Sequence, residues 1–289
     1  MPTPDTPLNT INSPFFILSF YNIFFRVSYN IVMEIRCPVC KEVLLKKDNT
    51  YKCVHGHSFD LAKEGYVNLY LHKSENSGDN KLMIDARKRF LEKDFYRFLP
   101  DELNRLIKPE DSLVDLACGE GYYTSKFVSG DRIGIDLSKS GLKIASKKDK
   151  DTTYILSSIF DVPLPDECAD KVTIIFAPIA GKEIARILKD NGQFILVKPN
   201  ADHLYELKQA IYDEPYLNEI EDIEIEGLKL VEEIPVKQEA ILNNEEMNDL
   251  FMMTPYWNTS SQKDKDKLKN IDHLKIGFSF LIDIYVKIN

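Results

Sequence analysis

The sequence predicts an α/β protein whose main part is a doubly wound parallel sheet, preceded by a small cysteine-rich module. After residue 110, short apolar runs typical of buried strands alternate with helical patterns. One of these runs, at 113–117, leads directly into a glycine turn at 118–121. Before residue 73, by contrast, three of the five cysteines and two of the five histidines lie within residues 37–57.

The charge is unevenly distributed along the 289 residues. The net charge is −9, yet residues 33–110 carry 15 Lys and Arg against 13 Asp and Glu. Residues 111–289 carry 21 against 32, so the basic excess lies in the front part. Five cysteines in a chain of this length do not form a disulfide framework, which favours a reducing, cytoplasmic compartment.

Residues 1–32 contain the apolar run SPFFILSFYNIFF, which is shorter than the roughly 20 residues of a membrane-spanning helix. The segment also lacks the basic start and the small-residue cleavage site of a secretory signal. We interpret residues 1–32 as a non-native extension upstream of a start at Met33. The alternative is a genuine extension that is disordered or touches a membrane.

A metal site is predicted in the stretch CPVCKEVLLKKDNTYKCVHGHSFD. Cys37 and Cys40 form a C-x2-C pair, and Cys53 with His57 forms a second knuckle that completes a tetrahedron suited to zinc. His55 is a second candidate for the fourth ligand. The alternatives are a redox pair, which lacks the expected βαβ surroundings, and unpaired buried thiols. Four protein ligands leave no open position, so the predicted role of the metal is structural.

A linker-like segment at 73–81 leads into a basic helical stretch. A charge run of this kind is either a solvated helix face or a phosphate-binding surface. The basic residues Lys81, Arg87, Lys88, Arg89, Lys93 and Arg97 outnumber the acidic Asp85, Glu92 and Asp94.

The glycine turn predicts a nucleoside-binding site. Gly119-Glu120-Gly121 follows a buried strand, and glycines there let the backbone approach a ligand closely. Asp136 ends the next strand, RIGID, where an acidic side chain can hold both ribose hydroxyls. A dinucleotide fold requires G-x-G-x-x-G, and this turn continues as G-E-G-Y-Y, so a nicotinamide cofactor is not expected.

The remaining pattern predicts further elements in order. After the glycine turn we expect a helix that carries Phe127, and Asn191-Gly192 is the expected stop of a later helix. The late strands are expected at the edge of the sheet. The predicted elements are strands 153–158 and 171–178, helix 181–190, strand 192–199, helix 202–212, strands within 221–242 and a final strand at 273–288.

These residues resemble a known family. CGEGYYT at 118–124 is similar to the first motif of class I methyltransferases that use S-adenosylmethionine. From about residue 35 onward the chain resembles the RlmA family, the bacterial 23S rRNA guanine-N1 methyltransferases. The further signatures are the zinc module, FDLAKEGYVNLY, ARKRFL, FAP, HLYELK and MTPYW, and they follow one another in order.

The resemblance implies a class I, Rossmann-like methyltransferase fold with a small N-terminal zinc-binding module. It implies a structural Zn²⁺, S-adenosyl-L-methionine as cofactor, a 23S rRNA hairpin as partner, a homodimer and no membrane. The implied divisions are a zinc-binding RNA-recognition module at 33–72, a linker and basic helical segment at 73–110, and the methyltransferase domain at 111–289. The implied zinc ligands are Cys37, Cys40, Cys53 and His57, and the implied cofactor contacts are Tyr96, Gly119, Glu120 and His203, to which the ribose argument adds Asp136.

Two positions depart from the usual pattern. Ala117 stands where the first glycine of the turn is usual, and its methyl group is tolerable if its φ is negative. Ser158 stands where many class I enzymes have an aspartate that contacts the adenine. Cys118 and Cys168 are interpreted as structural.

The catalytic base stays unassigned in the sequence, and Asp60 and Asp85 are the nearest carboxylates by context. Two other functions are compatible with the pattern. One is a small-molecule methyltransferase, and the other is an RNA-binding homologue without activity.

Overall fold

The fold is that of a computed structural model, which describes residues 33–72 and 81–288. The interpretation of residues 1–32 as an extension, and that of the linker at 73–80, lie outside the described residues. Within the described ranges no helix is long and apolar enough to cross a membrane.

Residues 33–60 form a small antiparallel sheet in which each strand pairs with the next. A hairpin turn joins Lys47 to Thr50, and Asp48 adopts the left-handed φ of 54° in this turn, a conformation that aspartate tolerates. The strands are β1 (Ile35–Arg36), β2 (Val43–Lys47), β3 (Thr50–Lys52) and β4 (Ser58–Asp60).

The main sheet has eight strands in the order β11-β12-β10-β9-β6-β7-β8-β5. Strands β5 to β10 are parallel, whereas β11 and β12 are antiparallel and form one edge, as predicted. The other edge is β5, which comes from the front part of the chain and was not predicted to join the sheet. The strands are β5 (Val67–Asn68), β6 (Ser112–Leu116), β7 (Asp131–Asp136), β8 (Thr153–Leu156), β9 (Ala169–Ile175), β10 (Leu188–Pro199), β11 (Leu228–Asn243) and β12 (His273–Lys287).

The described helices begin at recognisable caps in several cases. Ser138 accepts a hydrogen bond from the Gly141 N–H at the start of α3, and Asn243 and Glu246 form a reciprocal capping box at the start of α6. The helices are α1 (Lys81–Glu92), α2 (Phe98–Leu103), α3 (Lys139–Lys148), α4 (Gly181–Ile187), α5 (Tyr205–Ile211), α6 (Asn244–Met252), α7 (Tyr256–Thr259) and α8 (Gln262–Lys267).

Both faces of the main sheet are covered, because successive side chains of a strand point to opposite faces. Along β10, Phe194 and Leu196 belong to one apolar cluster, whereas Ile195 and Val197 belong to another. The first cluster also contains α4 and the apolar residues of the cysteine-rich module. The second contains α1, α2, α5 and α6. The module is therefore packed against the sheet and shares its core.

Several predicted elements differ from the structure in type or in bounds. The expected helix after the glycine turn is a single 3-10 turn, Thr124–Lys126, because the chain must re-enter the sheet at Asp131. The expected helix 181–190 ends at Ile187, since Leu188 is buried and already pairs with β9. Asn191-Gly192, the expected stop of this helix, therefore lies inside β10. The predicted strand 171–178 ends at Ile175, and the next residue has a positive φ.

The basic helix α1 packs against α6, and Arg89 of α1 and Lys93 just after it form ion pairs with α6. The Arg89 guanidinium donates to both carboxylate oxygens of Asp249, at 2.9 Å from Nε and 2.5 Å from Nη2. Lys93 donates to Glu246 at 2.9 Å. The Asp249 side chain is only 7% exposed, so the first pair is partly desolvated. Arg89 is therefore a packing residue, and the hypothesis that it binds phosphate is not supported.

Replacing Arg89 with glutamate is expected to destabilise the fold by about 3 kcal/mol, because the buried Asp249 would lose its partner and face a second carboxylate. Urea unfolding measures this cost. Arg97→Glu is the control, since the Arg97–Asp101 pair is more than half exposed on both sides and is expected to cost no more than about 1 kcal/mol. Equal small losses in both variants would contradict the prediction.

Candidate active site and metal centre

The four predicted metal ligands converge at one point. The Sγ atoms of Cys37, Cys40 and Cys53 and a ring nitrogen of His57 all lie within 4.8 Å of one another. The Cys53 Sγ–His57 Nδ1 distance is 3.3 Å, and the Cys40 Sγ–Cys53 Sγ distance is 3.6 Å. Ligand bonds of tetrahedral zinc imply edges of about 3.5–3.8 Å, so the donor set fits this ion. His55, the other candidate, is exposed and is not part of the group.

Local backbone geometry builds the two knuckles of this centre. The Lys41 N–H donates to the Cys37 carbonyl oxygen, and the Gly56 N–H donates to the Cys53 carbonyl oxygen. Each turn closes through a residue with positive φ, 60° at Lys41 and 86° at Gly56. Each turn therefore presents its ligand atoms from one side, two thiols from the first and a thiol with an imidazole from the second.

A cavity of about 840 Å³ lies at the carboxyl ends of β6, β7, β9 and β10. From β6 the chain proceeds to β7 and β8 on one side, and then to β9 and β10 on the other. In open α/β sheets ligands bind at such a switch point. The five predicted cofactor residues all line this cavity: Tyr96, Gly119, Glu120, Asp136 and His203.

Asp136 joins the glycine turn to the start of α3. Its carboxylate accepts hydrogen bonds from the Gly119 N–H at 2.7 Å and from the Ser138 N–H at 2.6 Å. Gly119 has a φ of 57°, and a Cβ on Gly141 of α3 would approach the Gly119 carbonyl to 2.8 Å. The carboxylate therefore positions the turn, in addition to facing the cavity.

Ala117 corrects one expectation, because its φ is 60° and not negative. An alanine in this conformation stores about 1 kcal/mol or more of backbone strain. Below it, Asp115 accepts hydrogen bonds from the hydroxyls of Thr124 and Thr173, which tie β6 to the following turn and to β9. Burial raises the pKa of Asp115 to about 6.

Tyr96 is held by packing. Its ring meets those of Phe90, Phe278 and Phe280 edge to face, with centroids 5.0–5.3 Å apart. Burial raises the pKa of Tyr96, so the hydroxyl keeps its proton. No described residue hydrogen-bonds to this hydroxyl, which leaves it available to a ligand in the cavity.

His203 is 7% exposed and packs on Phe280 with ring centroids 4.5 Å apart. Its Nδ1 accepts a hydrogen bond from the Ser279 N–H at 3.2 Å, so Nε2 carries the proton of the neutral ring. Burial lowers the pKa of His203 to about 3. His203 therefore acts toward the cavity as a neutral hydrogen-bond donor.

The two carboxylates suggested from context are not at the site. Neither Asp60 nor Asp85 lines the cavity, whose described lining carboxylates are Asp115, Glu120 and Asp136. Ser158 is also absent from the lining, and its hydroxyl accepts a hydrogen bond from the Phe160 N–H.

Several lining residues had no site role assigned from the sequence. Arg87 belongs to the basic run that was left open between a solvated helix face and a phosphate-binding surface, and it lies on the cavity wall. The signatures FAP and MTPYW were recognised without a role, and both contribute to the lining. The residues are Arg87, Phe176, Ala177, Pro178, Met253, Thr254, Pro255, Tyr256 and Asn258.

Comparisons with known proteins agree with this geometry. Residues 35–73 match the zinc ribbon described as "RlmA, N-terminal", and residues 114–196 match a methyltransferase domain. A 23S rRNA (guanine(748)-N(1))-methyltransferase of Streptomyces fradiae is 31% identical over 63% of this chain and 69% of its own length. A putative 23S rRNA (guanine-N(1)-)-methyltransferase of Bacillus subtilis is 34% identical over 61% and 68%. A putative methyltransferase structure from Bacillus halodurans has a TM-score of 0.43 and 16% identity, covering 66% of this chain and 99% of its own.

The sheet, its switch-point cavity and the cysteine-histidine cluster define a class I, S-adenosylmethionine-dependent methyltransferase that carries a zinc ribbon. The four protein ligands of the cluster fit a structural zinc and leave no open position for chemistry. Within this class, the chain belongs to the family of 23S rRNA (guanine-N1)-methyltransferases.

Proposed function

We propose that the protein transfers one methyl group from S-adenosylmethionine to N1 of a guanine in a hairpin loop of domain II of 23S rRNA. One observation carries the proposal. The four cofactor residues predicted from the family signatures, and Asp136 predicted from the ribose argument, meet at a single cavity, in a chain whose relatives bear this activity in their names.

The lining residues are proposed to hold the cofactor in a fixed orientation. Asp136, at the tip of β7, accepts from the ribose hydroxyls, and the backbone of Gly119 and Glu120 approaches the ligand closely. The hydroxyl of Tyr96 and the Nε2–H of His203 supply further polar contacts. The sulfonium supplies an already activated methyl group, so the protein contributes mainly proximity and alignment.

Guanine N1 carries a proton at neutral pH, and this proton must leave as the new bond to carbon forms. The hydrogen bond from Ser279 occupies Nδ1 of His203, and its other ring nitrogen already bears a proton. His203 is therefore not the acceptor in this proposal. Its role is to donate a hydrogen bond.

The zinc ribbon at 33–72 is proposed to bind the RNA. The ribbon is followed in the chain by the basic helical segment and the methyltransferase domain at 111–289. Exposed Lys46, Lys47 and Lys52 on its hairpin are suited to phosphate contacts. Val39 and Val54, at the tips of the two knuckles, are 52% and 78% exposed and are suited to contact unstacked bases. The proposal includes a homodimer acting in the cytoplasm.

Incubation of the protein with S-adenosylmethionine and 23S rRNA from a strain lacking the modification tests this function. Mass spectrometry of RNA fragments is expected to find one N1-methylguanine in a domain II hairpin. A methyl group on a guanine carbon or exocyclic amine, or methylation of small molecules without an RNA product, would contradict the proposal.

A further inference from the structure

Phe176 has an unusual backbone conformation. It follows β9 directly with a φ of 56°, although a bulky residue strongly disfavours the left-handed region. Eight described non-glycine residues have positive φ, and three of them are apolar: Ala117, Phe176 and Leu204. All three line the cavity. Strain of this kind persists where the surrounding structure imposes it, and it is concentrated at functional sites.

The ring of Phe176 contacts two neighbouring aromatic rings and is partly exposed. Its centroid lies 4.9 Å from that of Phe280 and 6.3 Å from that of Tyr123. Phe280 in turn packs on His203 and Tyr96, which are immobilised in the apolar core. Phe176 itself remains 41% exposed, whereas its predecessor Ile175 is 9% exposed. The ring is thus a rigid aromatic surface presented at the cavity.

The position of Phe176 separates it from the ribose end of the site. Asp136 ends β7 and Phe176 follows β9, with β6 between these strands. Neighbouring strands are about 4.8 Å apart, which places the two strand ends about 10 Å from each other. The cavity volume of about 840 Å³ lies in the upper part of the range of about 300–1,000 Å³ for ligand sites. A nucleoside cofactor at Asp136 therefore leaves room for one planar base at Phe176.

We propose that Phe176 is the surface on which the substrate guanine stacks once it has left its own base stack. The proposal rests on the function proposed above and adds the substrate-binding residue. Enzymes that modify a nucleobase take it out of the stack and hold it against aromatic or apolar side chains. Such stacking tolerates any aromatic ring and is weakened by aliphatic replacement.

Three replacements at this position separate stacking from a structural role. Phe176→Leu retains apolar bulk without a ring, Phe176→Tyr retains the ring, and Phe176→Gly removes the side chain while relieving the strain of the positive φ. For each variant, kcat/KM toward unmodified 23S rRNA, the Kd of S-adenosylmethionine by calorimetry and the Tm are measured.

The leucine and glycine variants are expected to lose about 5- to 150-fold in kcat/KM toward RNA, the range of one base–aromatic stack. The tyrosine variant should remain within about threefold of the parent, since its ring can stack in the same way. The Kd of S-adenosylmethionine should be unchanged in all three, and the Tm of each variant should stay above the assay temperature, so that a loss of methylation is not a loss of folding.

Normal RNA methylation by the leucine or glycine variant would overturn the stacking proposal alone. A parallel loss of S-adenosylmethionine affinity would also overturn it, by assigning Phe176 to the cofactor. Absence of N1-methylguanine from the parent protein's reaction would refute the proposed function, and the stacking proposal with it.

Discussion

Replacement of Cys53 by serine is expected to release the zinc and to unfold the ribbon at residues 33–72. Structural zinc contributes about 10–16 kcal/mol to the folding of small zinc modules, and serine is a poor ligand for this ion. The damage should extend to the main sheet, because Ile35, Leu44 and Tyr51 share one apolar cluster with Val114 and Val172 of β6 and β9. Unfolding of the ribbon would remove these three side chains from the cluster and expose one face of the sheet to water.

Elemental analysis and limited proteolysis measure the outcome, with Cys168→Ser as the control. Cys168 lies outside the cluster, and burial raises the pKa of its thiol to about 11, so it is a neutral thiol. The control should retain one zinc per chain and the proteolysis pattern of the parent protein. A Cys53→Ser protein that retains stoichiometric zinc, or a parent protein purified without chelator and free of zinc, would contradict the assignment.

Replacement of Asp136 by alanine is expected to weaken S-adenosylmethionine binding by about 10- to 100-fold. The change removes the acceptor proposed for the ribose hydroxyls, and hydrogen bonds to a charged group contribute about 1.5–3 kcal/mol each. It also removes the acceptor for the Gly119 and Ser138 N–H groups, so the glycine turn loses its tie to α3. Affinity for RNA should change little, since the carboxylate lies at the base of the cofactor site.

Isothermal titration with S-adenosylmethionine and a separate RNA-binding assay measure the two effects. Asp266→Ala is the control, because Asp266 of α8 pairs with Lys269 of the following 3-10 turn and does not line the cavity. An unchanged cofactor Kd for Asp136→Ala would remove Asp136 from the proposed site. An equal loss of RNA affinity would assign the carboxylate to the substrate.

The cysteine knuckles and the glycine turn could be predicted because their chemistry is local. The spacing of Cys37 and Cys40 places two thiolates on one turn in any fold that accommodates them. Asp136 was predictable for a related reason, since parallel strands end at the same edge of a sheet and bring Asp136 beside Gly119. The alternation of apolar and polar runs likewise predicted the parallel strands and the place of the late strands at the edge of the sheet, but not their antiparallel direction.

The tertiary structure alone decided the features that depend on distant residues. Arg89 belongs to a basic run in the sequence, but its partner Asp249 lies 160 positions away, and only their contact shows that the charge is used for packing. The positive φ of Ala117 and Phe176 is a conformation that both residue types disfavour. A residue pattern in the sequence therefore could not predict it. The spacing of residues in the sequence therefore determined which of them can bind zinc and a nucleoside. The packing of residues distant in the sequence decided which charged and aromatic side chains face the cavity, because burial is a property of the whole fold.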